Sequence, residues 1–125
     1  VVRVINPDQA LAHKVAAWNE RRLLRDLYDC YFLASRAGAS PDLAIIDHRL
    51  AKIQSRLPQL RKTHSMSRER LVSELQKAAA ELSEDHLEQE LAGILPPVEL
   101  AGLALRIRAA IERINTRLGQ DLGPE

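Results

Sequence analysis

Apolar residues recur at helical spacing along most of this chain, and this periodicity restricts the fold more than any other feature. The last long stripe places aliphatic side chains three or four positions apart at Leu100, Leu103, Ile107, Ile111, Ile114 and Leu118. Alternation with period two, which a strand would show, is confined to residues 1–5. The sequence therefore predicts an all-α bundle of five to six helices, preceded by one short N-terminal strand.

Capping residues and helix breakers predict where the helices begin and end. Starts are expected at Asn6, Ser40, Ser67, Ser83 and Pro97, and ends near Gly38, Pro58, Pro96 and Gly119. Residues 58–66 have no clear period and are expected to form a basic loop. These limits give one helical domain over residues 6–119, followed by a frayed tail of residues 120–125.

Residues 11–34 depart from a simple helical pattern. Their first apolar set ends at Trp18, and the second set includes Leu27, nine positions later. Nine positions correspond to about 900° of helix, so the two sets are half a turn out of phase. Either two short helices meet at residues 21–25, or one continuous helix is buried on two sides. Both arrangements gather the charged residues of this stretch in one place.

Composition argues against several kinds of site. Cys30 is the only cysteine, so it forms no internal disulfide, and it is expected to be a small buried residue in a protein of the reducing cytoplasm. The four histidines include no i, i+4 pair, which argues against a zinc site. The most apolar window, residues 91–105, is short and contains two prolines and Glu99, so no membrane span is predicted.

The formal net charge of +1 conceals two blocks of opposite sign. Residues 49–70 hold seven cations against one carboxylate, whereas residues 74–99 hold seven carboxylates against one lysine. The two blocks either pair with each other or mark surfaces for different partners. The basic block has no aromatic residue for stacking on single-stranded nucleic acid.

One short region carries a resemblance to a known family. Lys14-x-x-Ala is followed by an arginine and then by Arg25-Asp26-Leu-Tyr-Asp29-x-Tyr-Phe-Leu, after an extended Val-x-Val-Ile and an Asn-Pro-Asp helix start. Over about residues 1–35 this order resembles the second half of the AbiEii/AbiGii nucleotidyltransferase toxins. Members of that family have a polymerase-beta-like core followed by a helical region, and each is the toxin of a bacterial toxin–antitoxin pair.

The resemblance implies a set of site residues. Lys14 matches the family lysine that contacts the nucleotide triphosphate, and Arg25, Asp26 and Asp29 match its Arg-Asp-x-x-Asp motif. By this resemblance Lys14, Asp29 and Asp26 are predicted to be catalytic, and Lys14, Arg21 and Arg25 to bind nucleotide. The full-length protein would use Mg²⁺ and a nucleoside triphosphate in abortive infection, and its partner would be a cognate antitoxin.

The resemblance also implies an RNA acceptor such as transfer RNA. This gives a purpose to the basic block, and we predict RNA contacts from Arg56, Arg61 and Lys62. The alternative is a solvated basic face that is balanced by the acidic block. The rival function is a non-enzymatic helical module that binds a protein partner, such as an antitoxin, or RNA.

The carboxylates and the aromatic side chains also have structural interpretations. Asp26 and Asp29 are three positions apart and share a helix face, where they could reach one cation. In the structural alternative, Asp26 caps the second helix and Asp29 pairs with Arg22 or Arg25. For the neighbouring aromatic side chains, core packing is favoured over stacking on a base. They are Tyr28, Tyr31 and Phe32.

The chain departs from the family in one respect. The Gly-Ser or Gly-Thr turn and the Asp-x-Asp or Asp-x-Glu metal pair do not occur in its 125 residues, and it begins with Val rather than Met. We therefore expect a C-terminal fragment whose first strand belongs to a missing nucleotidyltransferase sheet. Such a fragment would hold no metal by itself and would not transfer nucleotides alone.

Overall fold

The computed structural model describes residues 6–120, and within them all regular secondary structure is helical. The strand predicted at residues 1–5 lies outside the described part, as does the tail after residue 120. The seven α-helices are α1 Pro7–Arg21, α2 Leu24–Ser35, α3 Leu43–Leu50, α4 Arg68–Ala80, α5 Glu84–Leu91, α6 Pro97–Leu100 and α7 Leu103–Leu118, and a 3₁₀ turn spans Pro58–Leu60. The all-α prediction is confirmed, with one helix more than expected.

Side-chain caps start α1, α4 and α5 where the sequence predicts them, whereas the start predicted at Ser40 is wrong and α3 begins after Asp42. The end predicted near Pro58 is also wrong, because α3 ends at Leu50. The Asn6 side chain accepts hydrogen bonds from two backbone N–H groups of the first turn of α1. Asp42 does the same for α3, while Ser67 caps α4 and Ser83 caps α5. Each cap satisfies backbone donors that have no partner within the helix.

The break between α1 and α2 is a single residue in the left-handed conformation. Arg22 has φ 59° and ψ 38°, and its N–H donates to the Trp18 carbonyl at 2.6 Å. This turn ends α1 and lets α2 run back along it, so both helices bury their apolar sets on the same side. The prediction of two short helices is confirmed, and the half-turn change of phase is its sequence signature.

The final helix was expected to start at Pro97, and this limit is wrong. Pro97 begins only the one-turn helix α6, after which Ala101 is extended and Gly102 has φ +71°. The carboxylate of Glu84, on α5, accepts hydrogen bonds from the N–H groups of Gly102 and Ala104, both at 2.8 Å. This cap from a distant helix fixes the start of α7 and is not visible in local sequence.

The core lies around α7. Its buried stripe is Leu103, Ile107, Ile111, Ile114 and Leu118, which packs against α4 on one side and α2 on the other. The opposite side of the core is formed by α1, which packs on both α2 and α3. Burying each of these aliphatic side chains contributes about 1.5–3 kcal/mol, so α7 contributes substantially to stability. In the described part of the chain, no helix is both long and apolar enough to cross a membrane.

Candidate functional site

Two ion pairs join α1 to α2 along one side of their hairpin. Lys14 Nζ lies 2.9 Å from Asp29 Oδ2, and both side chains are about 40% exposed. Near the turn, Arg21 donates to both carboxylate oxygens of Asp26, at 2.6 and 3.1 Å. Lys14 and Arg21 are seven residues apart on α1 and therefore lie on one face of it. The hairpin thus brings four of the predicted site residues together in two pairs.

The environment of Asp26 corrects the structural alternative for this residue. The N-cap of α2 is Leu23, which makes no side-chain cap, and Asp26 lies inside the first turn with only 2% of its surface exposed. Both oxygens of its carboxylate accept hydrogen bonds from the planar guanidinium of Arg21. The left-handed Arg22 places Arg21 over this turn. Asp26 is therefore not a helix cap.

Asp29 and Arg25 also differ from that alternative. Asp29 pairs with Lys14 of the neighbouring helix, and not with Arg22 or Arg25. Arg25 is exposed, one turn before Asp29 on α2, and forms no ion pair within residues 6–120. The catalytic and nucleotide-binding roles of these residues remain predictions.

A groove of about 620 Å³ lies beside the Lys14–Asp29 pair. Its lining includes Ala10 and Ala17 of α1 and Phe32 and Leu33 of α2, so small and apolar side chains surround the pair. A volume in this range is typical of small-molecule sites. The predicted lysine and aspartate therefore lie at an open concave surface and not on a flat helix face.

The far wall of this groove comes from residues that the sequence analysis missed. Arg49 of α3 lies 3.2 Å from a carboxylate oxygen of Glu20 and 3.0 Å from His13 Nδ1. Both His13 and Arg49 line the groove. No motif spacing links residue 13 to residue 49, because their proximity depends on how α3 packs on α1.

The aromatic side chains of α2 divide between the core and the groove. Tyr31 is buried and Tyr28 is half-buried against the core, so the packing prediction holds for both. Burial raises the pKa of Tyr28, and the charge of Glu99 adds to this increase. Phe32 is 43% exposed, and the packing prediction for it is wrong. It follows Tyr31 by one position, about 100° around the helix, and so turns away from the core.

Cys30 occupies the inner face of α2, as predicted. Only 1% of its surface is exposed, and burial raises the pKa of its thiol, with a further contribution from the charges of Asp26 and Asp29. A thiol that stays protonated is a poor nucleophile. Cys30 is therefore a packing residue.

The left-handed Arg22 is held by a second cluster that the sequence did not reveal. Its guanidinium lies 2.7 Å from a Glu74 carboxylate oxygen of α4, donates to the side-chain oxygen of buried Asn19, and stands 4.7 Å from the centre of the Trp18 ring. These contacts compensate the cost of a left-handed non-glycine residue. They also fix the angle between α1 and α2, and with it the row of ion pairs.

The predicted RNA contacts lie on an ordered loop between α3 and α4. Arg56, Arg61 and Lys62 are exposed, and none of them forms an ion pair within the described residues. The base of the loop is closed by two backbone hydrogen bonds of 2.9 Å, from Ile53 N–H to the His64 carbonyl and from Met66 N–H to the Leu50 carbonyl. The loop therefore presents its cations from a fixed frame.

The acidic block does not neutralise this loop. Its paired carboxylates, Glu74 and Glu99, contact arginines of the first two helices, at Arg22 and Arg36. No ion pair joins residues 49–70 to residues 74–99. The two blocks therefore do not neutralise each other by direct ion pairing.

The carboxylates of Asp26 and Asp29 are both paired with cations of α1. Asp26 is buried and bound by Arg21, and Asp29 is bound by Lys14. Within residues 6–120, no group of three or more acidic, histidine or cysteine side chains is arranged to hold a metal ion. Magnesium prefers several oxygen ligands in octahedral geometry, which this donor set does not supply.

The fold and the site define a helical domain with a charged groove between two paired helices. The family model described as nucleotidyl transferase AbiEii toxin, type IV TA system, matches residues 1–113. The chain therefore belongs to this family, and the resemblance found in residues 1–35 is confirmed and extended. No curated protein and no solved structure matches the chain.

Proposed function

We propose that the α1–α2 hairpin supplies the nucleotide-contacting residues of a nucleotidyltransferase toxin that acts in abortive infection. Lys14 contacts the triphosphate of the incoming nucleotide, and Arg21 and Arg25 add positive charge on the same hairpin. Asp29 holds the Lys14 ammonium beside the groove. Asp26 acts on the nucleotide indirectly, because its carboxylate orients the guanidinium of Arg21.

The observation that carries this proposal is the Lys14–Asp29 pair at the edge of the groove. Both side chains are about 40% exposed, so a phosphate oxygen can approach the ammonium without removing it from its carboxylate. Phosphoryl and nucleotidyl transfer depend mainly on positioning and on charge stabilisation. A lysine held in place beside a groove of about 620 Å³ meets both needs.

The proposal also includes a metal ion and an RNA acceptor. Mg²⁺ would be held by carboxylates elsewhere in the full-length toxin, since the family's Asp-x-Asp pair does not occur in the 125 residues. The acceptor is an RNA such as transfer RNA, with phosphates near Arg56, Arg61 and Lys62. The partner is the cognate antitoxin, and the site of action is the cytoplasm.

The test is nucleotidyl transfer by the protein translated from the complete reading frame. Lys14→Ala should lower transfer of labelled nucleotide to bulk RNA by about a hundredfold, as expected for loss of a charge that stabilises the reaction. Asp29→Asn should also lower transfer, because Lys14 loses the carboxylate that holds its ammonium group in place. Helical content measured by circular dichroism should not change. Lys77→Ala on α4 and Asp85→Asn on α5 are matched controls, because both side chains are exposed and lie outside the groove.

Three outcomes would oppose the proposal. Transfer within twofold of the parent protein for both Lys14→Ala and Asp29→Asn would leave these residues as structural. Magnesium-dependent transfer by the isolated 125-residue chain would show that its site is complete without further carboxylates. RNA binding by the complete protein without any transferase activity would favour the rival interaction module.

A further inference from the structure

Phe32 is the one aromatic ring that α2 turns towards the groove. The other two rings of the helix, Tyr28 and Tyr31, pack on the core, whereas 43% of Phe32 is exposed. The ring is still held in place: the Tyr28 ring lies 6.4 Å away at 45°, and the Arg36 guanidinium lies 5.7 Å from the ring centre. Arg36 also forms an ion pair with Glu99 at 3.5 Å. An exposed ring with fixed neighbours offers a rigid apolar surface.

The position of this ring relative to the ion pair suggests what it contacts. Phe32 follows Asp29 by three residues, so the two side chains are neighbours on one face of α2, and Asp29 bonds Lys14. The groove beside them is open because Ala10 and Ala17 have small side chains. A ligand with a flat apolar part and an anionic part would therefore meet the ring and the ammonium one helical turn apart.

The groove offers cationic donors beside its apolar surface, which suits a ligand that has an anionic part and a flat apolar part. Lys14 and Arg49 are the cations of the lining, His13 lies beside Arg49, and Asp29 is the single carboxylate of the lining; Arg49 is also paired with Glu20. We infer that the base of a nucleoside triphosphate stacks on Phe32 while its phosphates lie at Lys14. This inference rests on the proposed function and adds the residue that binds the base.

Stacking has a characteristic specificity. Every base presents a π-face, so a phenylalanine platform accepts all four bases and discriminates mainly by ring area. We propose no hydrogen bond between a lining side chain and the edge of the base. Purine nucleotides should therefore bind more tightly than pyrimidine nucleotides, by a few-fold.

The test compares a nucleotide with a ligand that lacks the base. The chain is titrated with ATP, CTP and inorganic triphosphate, and binding is followed by two-dimensional amide NMR, which detects millimolar affinities. Phe32→Ala should weaken ATP binding about tenfold, within the range for loss of one stacked base, and should leave triphosphate binding unchanged. Phe32→Trp should restore ATP binding. Leu23→Ala is the matched control, because Leu23 is exposed on the same hairpin but outside the groove.

The outcomes separate this inference from the function on which it rests. If Lys14→Ala weakens both ligands but Phe32→Ala weakens neither, the base does not stack on Phe32 and the inference falls alone. If Phe32→Ala weakens ATP while Lys14→Ala has no effect, stacking stands and the proposed role of Lys14 falls. If neither ligand binds, or Phe32→Ala alters only self-association of the chain, the inference is overturned.

Discussion

The α1–α2 hairpin and the basic loop between α3 and α4 both concentrate positive charge, but they treat it differently. In the hairpin, Lys14, Arg21 and Arg22 each bond a carboxylate at 2.9 Å or less. In the loop, the three predicted RNA contacts have no carboxylate partner within the described residues. An ion pair holds its two side chains in a fixed geometry. Unpaired cations attract a polyanion over a distance, and salt screens this attraction. We therefore expect the hairpin to keep a fixed geometry and the cations of the loop to respond to salt.

The comparison predicts a large difference in accessibility, which thiol labelling can measure. Cys30 on the inner face of α2 should react with a maleimide only when the hairpin opens, about a thousandfold more slowly than a cysteine introduced by Ser65→Cys in the exposed loop. Equal rates would show that the hairpin is no better packed than the loop.

The buried Cys30 thiol also predicts how the free energy of unfolding depends on pH. Burial raises the pKa of Cys30 in the folded protein above its ordinary value of about 8.5. Below that value both states are protonated, and the thiol does not alter stability. At higher pH the unfolded chain loses the proton first, so the free energy of unfolding should fall as pH rises above about 9. Cys30→Ala should remove this part of the decline, as measured by urea unfolding.

A second prediction asks whether the pairing in the hairpin holds its structure. Arg21→Ala should lower the free energy of unfolding by about 2 kcal/mol, because it leaves the buried Asp26 carboxylate without a partner. The value is below that of a fully buried pair because Arg21 itself is 54% exposed. Arg25→Ala is the matched control and should change stability by no more than about 0.5 kcal/mol.

The double variant sharpens this comparison. Arg21→Ala combined with Asp26→Ala removes the unpaired charge as well as the pair, so it should be more stable than Arg21→Ala alone. Urea unfolding of the parent protein, of Arg21→Ala, of Asp26→Ala and of the double variant measures this coupling. If Arg21→Ala and Arg25→Ala cost the same, the ion pair is not holding the turn.

Local signals in the sequence were enough for most of the fold. Caps at Asn6, Ser67 and Ser83 act within three residues of themselves, and the half-turn phase change marks the break before α2, so both could be predicted. The split between α6 and α7 could not, because its cap comes from Glu84, eighteen residues before Gly102. A helix start set by a distant carboxylate has no local pattern.

The candidate site was predictable to the same extent. The spacing of Asp26 and Asp29 places them on one face of α2, but it does not say which cation each one meets. The pairing of Asp29 with Lys14 depends on the angle between the helices, which the left-handed Arg22 determines. Arg49 reaches the groove only through the packing of α3 on α1. Periodicity within one helix does not predict which residues of different helices come into contact.

The smallest expected effect on stability belongs to the loop, and it is the one that completes the comparison. Arg56→Gln, Arg61→Gln and Lys62→Gln together remove three exposed cations that have no carboxylate partner in residues 6–120, so the free energy of unfolding should change by less than about 0.5 kcal/mol. Binding to bulk RNA should weaken, and the slope of log affinity against log salt concentration should fall by about 2, since each phosphate contact to a single strand contributes about 0.7. The control is Lys77→Gln with Arg113→Gln, two exposed cations on α4 and α7, which should leave the slope unchanged. An equal loss of slope in both proteins would mean that RNA responds to net charge and not to the loop. A loss of stability in the loop variant would mean that its cations are part of the packing, and the contrast with the hairpin would then disappear.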